Sequence, residues 1–229
     1  MSRAADPVAL VTGGGRRIGA AIARRLAAAG FRVIVTYRDS RSAAETLARR
    51  IGGRAWRLDL ARPETFSRFA GRVGGEFGRL DLLVHNAAIF PRTPLGAVSA
   101  RDFDAVFAVN LRAPVLLTGK LLPLLRRSSG RPAVVLIGDA GAGRLWPSYL
   151  PYCLSKIALE RLGRAWRKAL APGIRVGVVR PGLALRPPGF SQKAWGALRA
   201  RRGGGRLDSP EKIATAVLRF FRRGGYNFL

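Results

Sequence analysis

The first forty residues of this 229-residue chain combine two apolar runs with a glycine turn, in an order that few folds accommodate. Val8 to Thr12 forms the first run, three glycines follow, and a helical pattern extends from Ile18 to Ala29 before a second run at 31–37. Glycines between a strand and a helix allow the backbone to approach a pyrophosphate, and the helix N-terminus favours an anion. The segment therefore predicts the β-α-β unit that opens a dinucleotide-binding sheet.

The alternation of strand and helix patterns continues along the chain without a linker or an internal repeat. Short apolar strands are predicted at 56–60, 80–85, 132–137 and 174–179, and helices at 101–108, 111–126 and 150–171. Nearly continuous apolar strands suit a parallel sheet that is covered on both faces. We therefore expect an α/β fold: one domain over residues 1–229, with a doubly wound parallel sheet in a Rossmann-type three-layer sandwich.

A tyrosine and a lysine four residues apart are the first candidates for chemistry. Tyr152 and Lys156 share one face of the predicted helix, and Asp139 places a carboxylate thirteen residues upstream of the tyrosine. An ammonium group beside a phenol favours phenolate and lowers the pKa of the tyrosine from about 10. An isolated pair of this kind is usually a chance arrangement on a surface helix, but the glycine-rich start favours a reductase.

Several segments together resemble the short-chain dehydrogenases/reductases: TGGGRRIG at 12–19, HNAA at 85–88, Asn110, YCLSK at 152–156 and RPG at 180–182. The resemblance covers almost the whole chain and is closest to the pteridine reductases, including dihydromonapterin reductases. Arg17 stands where most relatives have the middle glycine, Asp139 stands at the usual catalytic serine, and Phe90 follows the Asn86 turn. Each also has a plain explanation, namely a solvated arginine, a turn cap and a core ring.

The resemblance implies a role for each candidate catalytic residue. Tyr152 is expected to donate the proton, Lys156 to lower its pKa and hold the cofactor ribose, and Asn110 to organise a relay water. Asp139 is expected to act with Tyr152 on a pterin, because reducing its C=N bond requires a proton on a ring nitrogen. Phe90 would stack on the heterocycle. The expected substrate-contacting residues are Phe90, Asp139, Tyr152 and Leu183.

The end of the second predicted strand bears on the choice between NAD and NADP. Arg38, with Arg16 or Arg17, supplies two cations for a 2′-phosphate, so NADPH is the expected cofactor. Asp39 would favour NADH if it faced the ribose instead. Asp59 is expected near the adenine, although a helix-capping role fits it nearly as well. The expected cofactor-binding residues are Gly13, Arg16, Arg17, Ile18, Gly19, Tyr37, Arg38, Ser40, Asp59, Asn86, Ala87, Ala88, Lys156, Pro181 and Gly182.

The charge is unusual for an enzyme: 41 basic and 13 acidic residues give a net charge of +28. The arginines are spread over every predicted helix rather than gathered in a motif, so we expect salt-sensitive, non-specific binding to polyanions and no specific nucleic-acid function. Three alternatives to a pterin reductase stay open. They are a carbonyl reductase of 3-oxoacyl thioesters or other ketones, a non-catalytic nucleotide-binding protein, and a basic nucleic-acid-binding protein.

The remaining features set expectations about location and assembly. One cysteine, Cys153, and one histidine, His85, predict neither a disulfide nor a metal site, and both residues are expected to be structural. No signal peptide or apolar stretch of about 18 residues is visible, so we expect a cytoplasmic protein without a membrane partner. The stretch at 185–205, with a helix at 191–199, is a predicted substrate lid.

The resemblance also raises a question about the C-terminus. Family members usually continue past a segment like 226–229 into a final strand that helps to close the sheet and build the oligomer. We therefore expect the final edge strand to be missing here, with a homodimer or homotetramer unless that loss prevents it.

Overall fold

The computed structural model describes residues 6–186, 191–201, 209–223 and 227–228. Seven strands form one sheet in the order β3-β2-β1-β4-β5-β6-β7, and every neighbouring pair is parallel. The chain fills one side of β1 with β2 and β3, then crosses to the other side with β4, which is the doubly wound arrangement predicted from the sequence. The strands are β1 Val8–Val11, β2 Arg32–Tyr37, β3 Arg54–Arg57, β4 Leu82–His85, β5 Ala133–Ile137, β6 Arg175–Val179 and β7 Asn227–Phe228.

Helices cover both faces of this sheet. A π-helical turn at Ala108–Arg112 joins the fourth and fifth helices into one continuous stretch, and short 3-10 turns lie at Pro63–Thr65, Leu95–Ala97 and Ala142–Arg144. The helices are α1 Arg17–Ala27, α2 Arg41–Arg50, α3 Phe66–Phe77, α4 Ala100–Phe107, α5 Ala113–Arg126, α6 Leu150–Ala169, α7 Gln192–Arg201 and α8 Pro210–Arg223.

Alternate residues of each strand point to opposite faces and form two apolar layers. On one face, Leu10 and Leu83 belong to a cluster with Phe66 of α3 and Leu117 of α5. On the other face, the strands pack against α1 and α8, whose close contact is anchored by buried residues such as Ile22 and Val217. Burial of each large apolar side chain contributes roughly 1.5–3 kcal/mol, so the two layers hold the strand ends in place.

The edge of the sheet differs from the expectation that its final strand is missing. Asn227 and Phe228 form β7, in parallel register with Val178 and Val179 of β6. Two extended residues suffice, because the outer side of β6 presents unpaired backbone groups to any segment that lies alongside it. The expectation of a missing edge strand was therefore wrong, although β7 is only two residues long.

Two further elements differ from the sequence-based boundaries. β3 begins two residues earlier than predicted and ends at Arg57, so Asp59 lies in the loop that follows it. The predicted lid at 185–205 contains α7, close to the expected helix at 191–199, while residues 187–190 and 202–205 lie outside the described residues.

The stretch Ala100–Arg126 is longer and more apolar than the sequence reading allowed. Its 27 helical residues are sufficient in length and composition to cross a membrane, contrary to the expectation that no such stretch exists. Half of its most apolar window is buried inside the protein, where Leu117 and Leu121 pack against the sheet. A core helix that covers a parallel sheet has this composition.

Arginines that are dispersed in the sequence come together at one edge of the sheet. Each helix between parallel strands returns the chain to the edge where strands begin, called here the amino edge, so the helix C-termini gather there. The sequence contains no basic motif, so this gathering depends on the fold alone. Four helices have a pair of exposed arginines at that end: Arg24 and Arg25, Arg49 and Arg50, Arg126 and Arg127, and Arg222 and Arg223.

Candidate active site

The glycine turn after β1 is locked to the turn after β4. The Thr12 hydroxyl oxygen accepts hydrogen bonds from the backbone N–H groups of Asn86 and Ala87 at 3.0 and 3.1 Å. The Asn86 side-chain amide donates to the carbonyls of Thr12 and Gly13 at 2.9 and 3.2 Å. These bonds hold the two predicted cofactor segments side by side at the carboxyl edge of the sheet, the edge opposite the amino edge.

Two glycines leave a cradle that any side chain would close. Gly13 has a φ of +61°, and a Cβ there would lie 3.0 Å from the Cβ of Ala87. A Cβ on Gly19 would lie only 2.4 Å from the carbonyl oxygen of Gly13. Backbone therefore passes directly beside backbone at the start of α1, which is the arrangement that admits a phosphate group to a helix N-terminus.

A cavity of about 350 Å³ lies beyond this cradle, at the carboxyl ends of β1, β2 and β3. Of the two arginines considered for the phosphate, Arg16 lines this cavity and Arg17 lines the next one. Asp59 lines it too, and its Oδ1 accepts a hydrogen bond from the N–H of Ala61 at 2.9 Å within the loop. Arg62, not Asp59, is the N-cap of the next helical turn, so the helix-capping explanation of Asp59 was wrong. The predicted cofactor residues on this wall are Gly13, Arg16, Tyr37, Arg38, Ser40, Asp59, Ala87 and Ala88.

Arg38 and Asp39 at the end of β2 interact with each other. The Arg38 Nε lies 2.6 Å from Asp39 Oδ2, and both side chains are more than half exposed. Arg38, which favours NADPH, and Asp39, which would favour NADH, thus form one ion pair on the cavity wall. An exposed pair of this kind contributes about 0–1 kcal/mol, so a bound phosphate dianion can compete for the guanidinium.

A second cavity, of about 460 Å³, brings the predicted chemistry together. Asp139, Tyr152 and Lys156 line it, and so do the predicted substrate residues Phe90 and Leu183. Ala88 lines both cavities, and the other predicted cofactor residues on this wall are Arg17, Ile18, Asn86, Pro181 and Gly182. Gly19 and Asn110 line neither cavity and instead contact residues beside the cavity walls.

Both oxygens of the Asp139 carboxylate accept hydrogen bonds. Its Oδ2 accepts a hydrogen bond from the Tyr152 hydroxyl at 2.7 Å, and its Oδ1 accepts one from the N–H of Gly141 at 2.6 Å. The turn-capping explanation of Asp139 and the catalytic one are therefore both compatible with its geometry. The cap fixes the carboxylate in front of the phenol.

The pKa of Tyr152 moves in the direction opposite to the expectation. Burial raises it well above 10, and the charge of the neighbouring Asp139 raises it further. Lys156 does not counter this, because its Nζ donates a 2.7 Å hydrogen bond to the carbonyl of Ile137 and lies 5.8 Å from the centre of the Tyr152 ring. The prediction that Lys156 lowers the tyrosine pKa was wrong for this arrangement.

Lys156 is almost completely buried, and burial lowers its pKa to about 8. The negative charges of Asp139 and Glu160 oppose that shift. Glu160, missed by the sequence analysis, lies one turn beyond Lys156, has its own pKa raised by burial, and approaches Arg180 to 4.0 Å. A Cβ on Gly138 would lie 3.1 Å from its Oε1, so the carboxylate packs directly below the strand end that leads to Asp139. The signal for Glu160 was its i+4 spacing from Lys156.

Asn110 lies in the π-helical turn and connects two walls of the site. Its Oδ1 accepts from the N–H of Ile89 at 2.9 Å, while its Nδ2 donates to the carbonyl of Ile89 and to the hydroxyl oxygen of Ser155, both at 3.1 Å. Both amide hydrogens are thus bound to protein. The side chain holds residue 89 against α6, an arrangement different from the water-organising role expected of it.

Phe90 is surrounded by aromatic rings. It stacks on Tyr149 with centroids 4.3 Å apart and meets Tyr152 edge-to-face at 4.5 Å and Trp146 at 6.0 Å. Trp195 of α7 lines the same cavity. No local pattern in the sequence predicts Trp146, Tyr149 and Trp195 as site residues, since only the fold brings these rings to the cavity that Phe90 lines. The second cavity therefore has an aromatic wall beside the Asp139–Tyr152 pair.

Arg17 links the glycine turn to the segment after β6. Its backbone has a φ of +53°, a region that disfavours non-glycine residues, and its Nη2 donates to the carbonyl of Arg186 at 2.9 Å. The solvated-arginine explanation is therefore incomplete. Arg17 reaches across the second cavity to the start of the predicted lid.

His85 and Cys153 lie outside this chemistry. His85 is fully buried, its Nε2 lies 2.8 Å from the Thr118 hydroxyl oxygen, and burial lowers its pKa to about 3. Burial also raises the pKa of Cys153, which keeps its thiol protonated. Within the described ranges, no group of three or more His, Cys, Asp or Glu side chains could hold a metal ion.

The whole arrangement matches known proteins. A family model described as enoyl-(acyl carrier protein) reductase, of the short-chain type, matches residues 14–223. A short-chain dehydrogenase of Burkholderia cenocepacia, solved in complex with NADP, superimposes with a TM-score of 0.86 at 32% identity, over 97% of this chain and 95% of that one. The chain belongs to the short-chain dehydrogenases/reductases. It is therefore an oxidoreductase of that family, as the sequence motifs predicted.

Relatives of this short-chain dehydrogenase/reductase have several named activities. It is 35% identical over 190 residues to an uncharacterized oxidoreductase of Mycobacterium tuberculosis, covering 81% of this chain and 72% of the relative. Identity to a dihydromonapterin reductase of an Enterobacter species is 31% over 187 residues, covering 81% and 77%. Identity to a rhamnolipid-biosynthesis 3-oxoacyl-[acyl-carrier-protein] reductase of Pseudomonas aeruginosa is 36% over 186 residues, covering 78% and 73%.

Proposed function

We propose that this short-chain reductase uses NADPH to reduce a C=N bond in a flat ring of the pterin class, such as a dihydropterin. The observation that carries the proposal is the 2.7 Å hydrogen bond between Tyr152 and Asp139, inside a cavity with an aromatic wall. A carboxylate at this position differs from the serine that most of the family uses, and it suits a basic ring nitrogen better than a ketone oxygen.

The chemistry of such a reduction requires one hydride and one proton. A bound nicotinamide would supply the hydride to the ring carbon, so the protein must supply a proton to the ring nitrogen that receives the electron pair of the C=N bond. Asp139 and Tyr152 share a proton in a hydrogen bond that faces the cavity, and its transfer to nitrogen leaves the pair with one additional negative charge. The charge of Asp139 raises the pKa of buried Lys156, so the two groups interact, and the ammonium of Lys156 stabilises the additional negative charge.

The aromatic wall would select a planar substrate. Tyr149 covers one face of Phe90 at 4.3 Å, so the Phe90 ring is held rigidly at the edge of the cavity. Aromatic pairing contributes about 0.5–1.5 kcal/mol beyond area burial, and a ring that is already fixed loses little entropy when a heterocycle packs against it. Phe90 and Leu183 then position the heterocycle against Asp139 and Tyr152.

The cofactor would span both cavities. Tyr37, Asp59 and Ala88 would hold the adenosine half, the cradle of Gly13 and Gly19 would admit the pyrophosphate, and Lys156 and Pro181 would hold the nicotinamide half. Arg16 and Arg38 supply the cations for the 2′-phosphate, in agreement with the NADP bound to the Burkholderia neighbour. We expect Asp39→Asn to strengthen NADPH binding and Arg38→Gln to weaken it, with NADH binding nearly unchanged in both.

The segment at 185–205 would act as a substrate lid. Arg17 holds the carbonyl of Arg186 at 2.9 Å, and Trp195 of α7 forms part of the second cavity wall. Opening α7 would expose this cavity, so substrate entry is expected to require movement of the segment relative to Arg17.

Homo-oligomerisation is also proposed. Exposed large apolar side chains lie on three consecutive helices, with Phe103 on α4, Leu116 on α5 and Leu154 on α6. Light scattering coupled to gel filtration tests this: a monomer at micromolar concentration would contradict the proposal.

A ketone reductase is the second candidate, because the Pseudomonas 3-oxoacyl reductase is among the relatives. In such an enzyme Tyr152 would protonate a carbonyl oxygen, and the Asp139 carboxylate would repel the developing alkoxide rather than stabilise it. A ketone is therefore the second candidate substrate, after the pterin.

The test measures NADPH oxidation with dihydrobiopterin, dihydromonapterin and an acetoacetyl thioester. Turnover of a pterin that falls by about 10²–10⁴-fold in both Asp139→Ser and Tyr152→Phe supports the proposal. Exposed Asp104→Asn is the matched control for loss of a carboxylate and should retain activity. Thioester reduction that Asp139→Ser preserves or improves would establish the ketone reductase instead, and NADPH binding without turnover of any substrate would indicate a non-catalytic nucleotide-binding protein.

A further inference from the structure

The amino edge of the sheet has a dense basic surface, on the side opposite both cavities. Besides the four arginine pairs at the helix ends, it includes Arg32 and Arg54 at the starts of β2 and β3, Arg131 just before β5, and Lys168 at the end of α6. These twelve exposed cations are called the amino-edge face. Backbone hydrogen bonds between the strand starts hold the face together. The N–H groups of Arg32, Asp81 and Arg175 donate to the carbonyl oxygens of Pro7, Val8 and Pro132, respectively.

Few acidic groups offset this charge. Among the described residues of the same edge, the exposed carboxylates belong to Asp6 and Glu76, and Glu76 is engaged by Arg54 at 2.5 Å. Within the described part of the chain, the four arginine pairs, Arg131 and Lys168 make no ion pair. The other exposed ion pairs, such as Arg41 with Glu45, lie on other surfaces. The amino-edge face thus carries twelve basic residues against two exposed carboxylates among the described residues.

The helix dipole explains only part of this concentration. A cation in the last turn of a helix gains about 0.3–1 kcal/mol from the partial negative charge of the carbonyls, which accounts for one basic residue at each helix end. It does not account for Arg32, Arg54 and Arg131, which lie at strand starts, nor for the repulsion between adjacent arginines. A bound polyanion would relieve that repulsion.

We propose that the amino-edge face binds the phosphate backbone of a nucleic acid. Eleven of its twelve cations are arginines, whose planar forks match phosphate oxygens. From β3 to β6 the face spans five strand spacings, or about 24 Å, and one strand of a duplex presents a phosphate about every 3.4 Å over such a length. Several phosphates of one duplex can therefore be contacted together.

The composition of the face distinguishes this partner from a membrane. Within the described residues, the exposed large apolar side chains all lie between Leu95 and Leu154, and none of them belongs to the amino edge. A lipid-binding surface ordinarily adds such side chains to its cations. Base stacking would need exposed aromatic rings, which the face also lacks among the residues described. Binding is therefore expected to be independent of sequence and to leave the carboxyl edge open.

The experiment compares two quadruple variants of equal net charge. The first removes one arginine from each helix-end pair: Arg24→Gln, Arg50→Gln, Arg127→Gln and Arg222→Gln. The matched control removes four exposed cations from other surfaces: Arg68→Gln, Arg101→Gln, Lys120→Gln and Arg161→Gln. Fluorescence anisotropy with mixed-sequence duplex DNA and duplex RNA of about 20 base pairs measures affinity as a function of salt. Circular dichroism and NADPH binding verify folding, and arginine-to-lysine changes at the first four positions provide a charge-conserving variant.

The expected result is an affinity loss of about tenfold or more in the edge variant at low salt, with a salt slope shallower by about 3 to 4, roughly 0.9 for each lost phosphate contact. The control should change by less than about threefold, and the lysine variant should keep the wild-type slope. Equal losses in the edge and control variants would overturn the proposal, because binding would then follow net charge alone. So would the absence of duplex binding in the wild type, or edge-dependent binding to phosphatidylserine vesicles without binding to either duplex.

Discussion

The hydroxyl of Tyr152 points at Oδ2 of Asp139 at 2.7 Å, whereas the ammonium of Lys156 is directed to the carbonyl of Ile137. The carboxylate, rather than the ammonium, is therefore the immediate electrostatic partner of the phenol. A buried phenol beside a carboxylate keeps its proton, which explains why the pKa of Tyr152 is raised. The pair is a protonated acid held ready at the cavity wall.

Asp139→Asn should lower the pKa of Tyr152, because it removes the negative charge and leaves the burial in place. Tyrosinate absorbance measured against pH, with the Asp139→Asn/Tyr152→Phe double variant subtracted, reports this one group. The wild type should titrate at higher pH than the single variant. Identical titration curves would contradict the assigned role of the Asp139 charge.

Gly13→Ala should weaken NADPH binding by about tenfold or more, because it closes the phosphate cradle. The new Cβ would meet Ala87 at 3.0 Å, on a backbone whose φ is +61°. Gly30→Ala is the matched control, since Gly30 also has a positive φ, +89°, but nothing within 4 Å of its added Cβ. Both changes should cost about 1 kcal/mol or more of folding free energy. Calorimetric titration should show normal NADPH affinity in Gly30→Ala alone; a similar loss in both would mean that global strain, not the cradle, controls binding.

Glu160→Gln should lower the pKa of Lys156 below about 8, because the charge of Glu160 currently raises it. If the lysine acts as an ammonium, the alkaline limb of kcat/KM moves to lower pH. The pH profile of NADPH-dependent turnover measures this shift, with Glu45→Gln as the control for loss of a surface carboxylate. A purely structural effect of Glu160 would lower activity equally at all pH values.

Acidification should destabilise the protein through His85. Its pKa is about 3 in the folded protein and about 6.5 when unfolded, so below pH 6.5 the unfolded chain binds a proton that the folded one refuses. The stability present above pH 6.5 is thus lost as pH falls, by about 1.4 kcal/mol per unit down to the folded value. Urea unfolding at pH 7 and 5 should show a smaller loss, by about 2 kcal/mol, in His85→Gln than in the wild type. Equal losses of stability in the two proteins would show that groups other than His85 cause the destabilisation at low pH.

Local patterns allowed much of this protein to be predicted from sequence. The β-α-β start and the shared face of Tyr152 and Lys156 follow from periods of two and 3.6 residues, which neighbours in the chain determine. The opposite shift of the Tyr152 pKa depends on burial and on the side-chain direction of Lys156, which only tertiary packing sets. The roles of Arg16 and Arg17 separated for the same reason, since adjacent residues face different cavities.

Longer-range organisation was harder to predict. The arginine at position 25 and the one at position 222 are far apart in the chain, and only the direction of the strands brings their helices to end at the same edge. When each helix is considered alone, such residues look dispersed along the chain. In a parallel sheet, the position of a residue along its helix predicts its edge, so the final turns of all helices should be considered together.

The three hydrogen bonds of Asn110 have a mechanical consequence. By joining Ile89 to Ser155, they couple the loop that carries Phe90 to the helix that carries Tyr152. Phe90 and Tyr152 are therefore expected to move together, with a separation that is fixed in the folded protein before a substrate binds. Because the Phe90 and Tyr152 rings meet edge-to-face at 4.5 Å, any change in their separation requires Ile89 to move relative to Ser155, and the hydrogen bonds of Asn110 oppose that movement from a position outside the cavity.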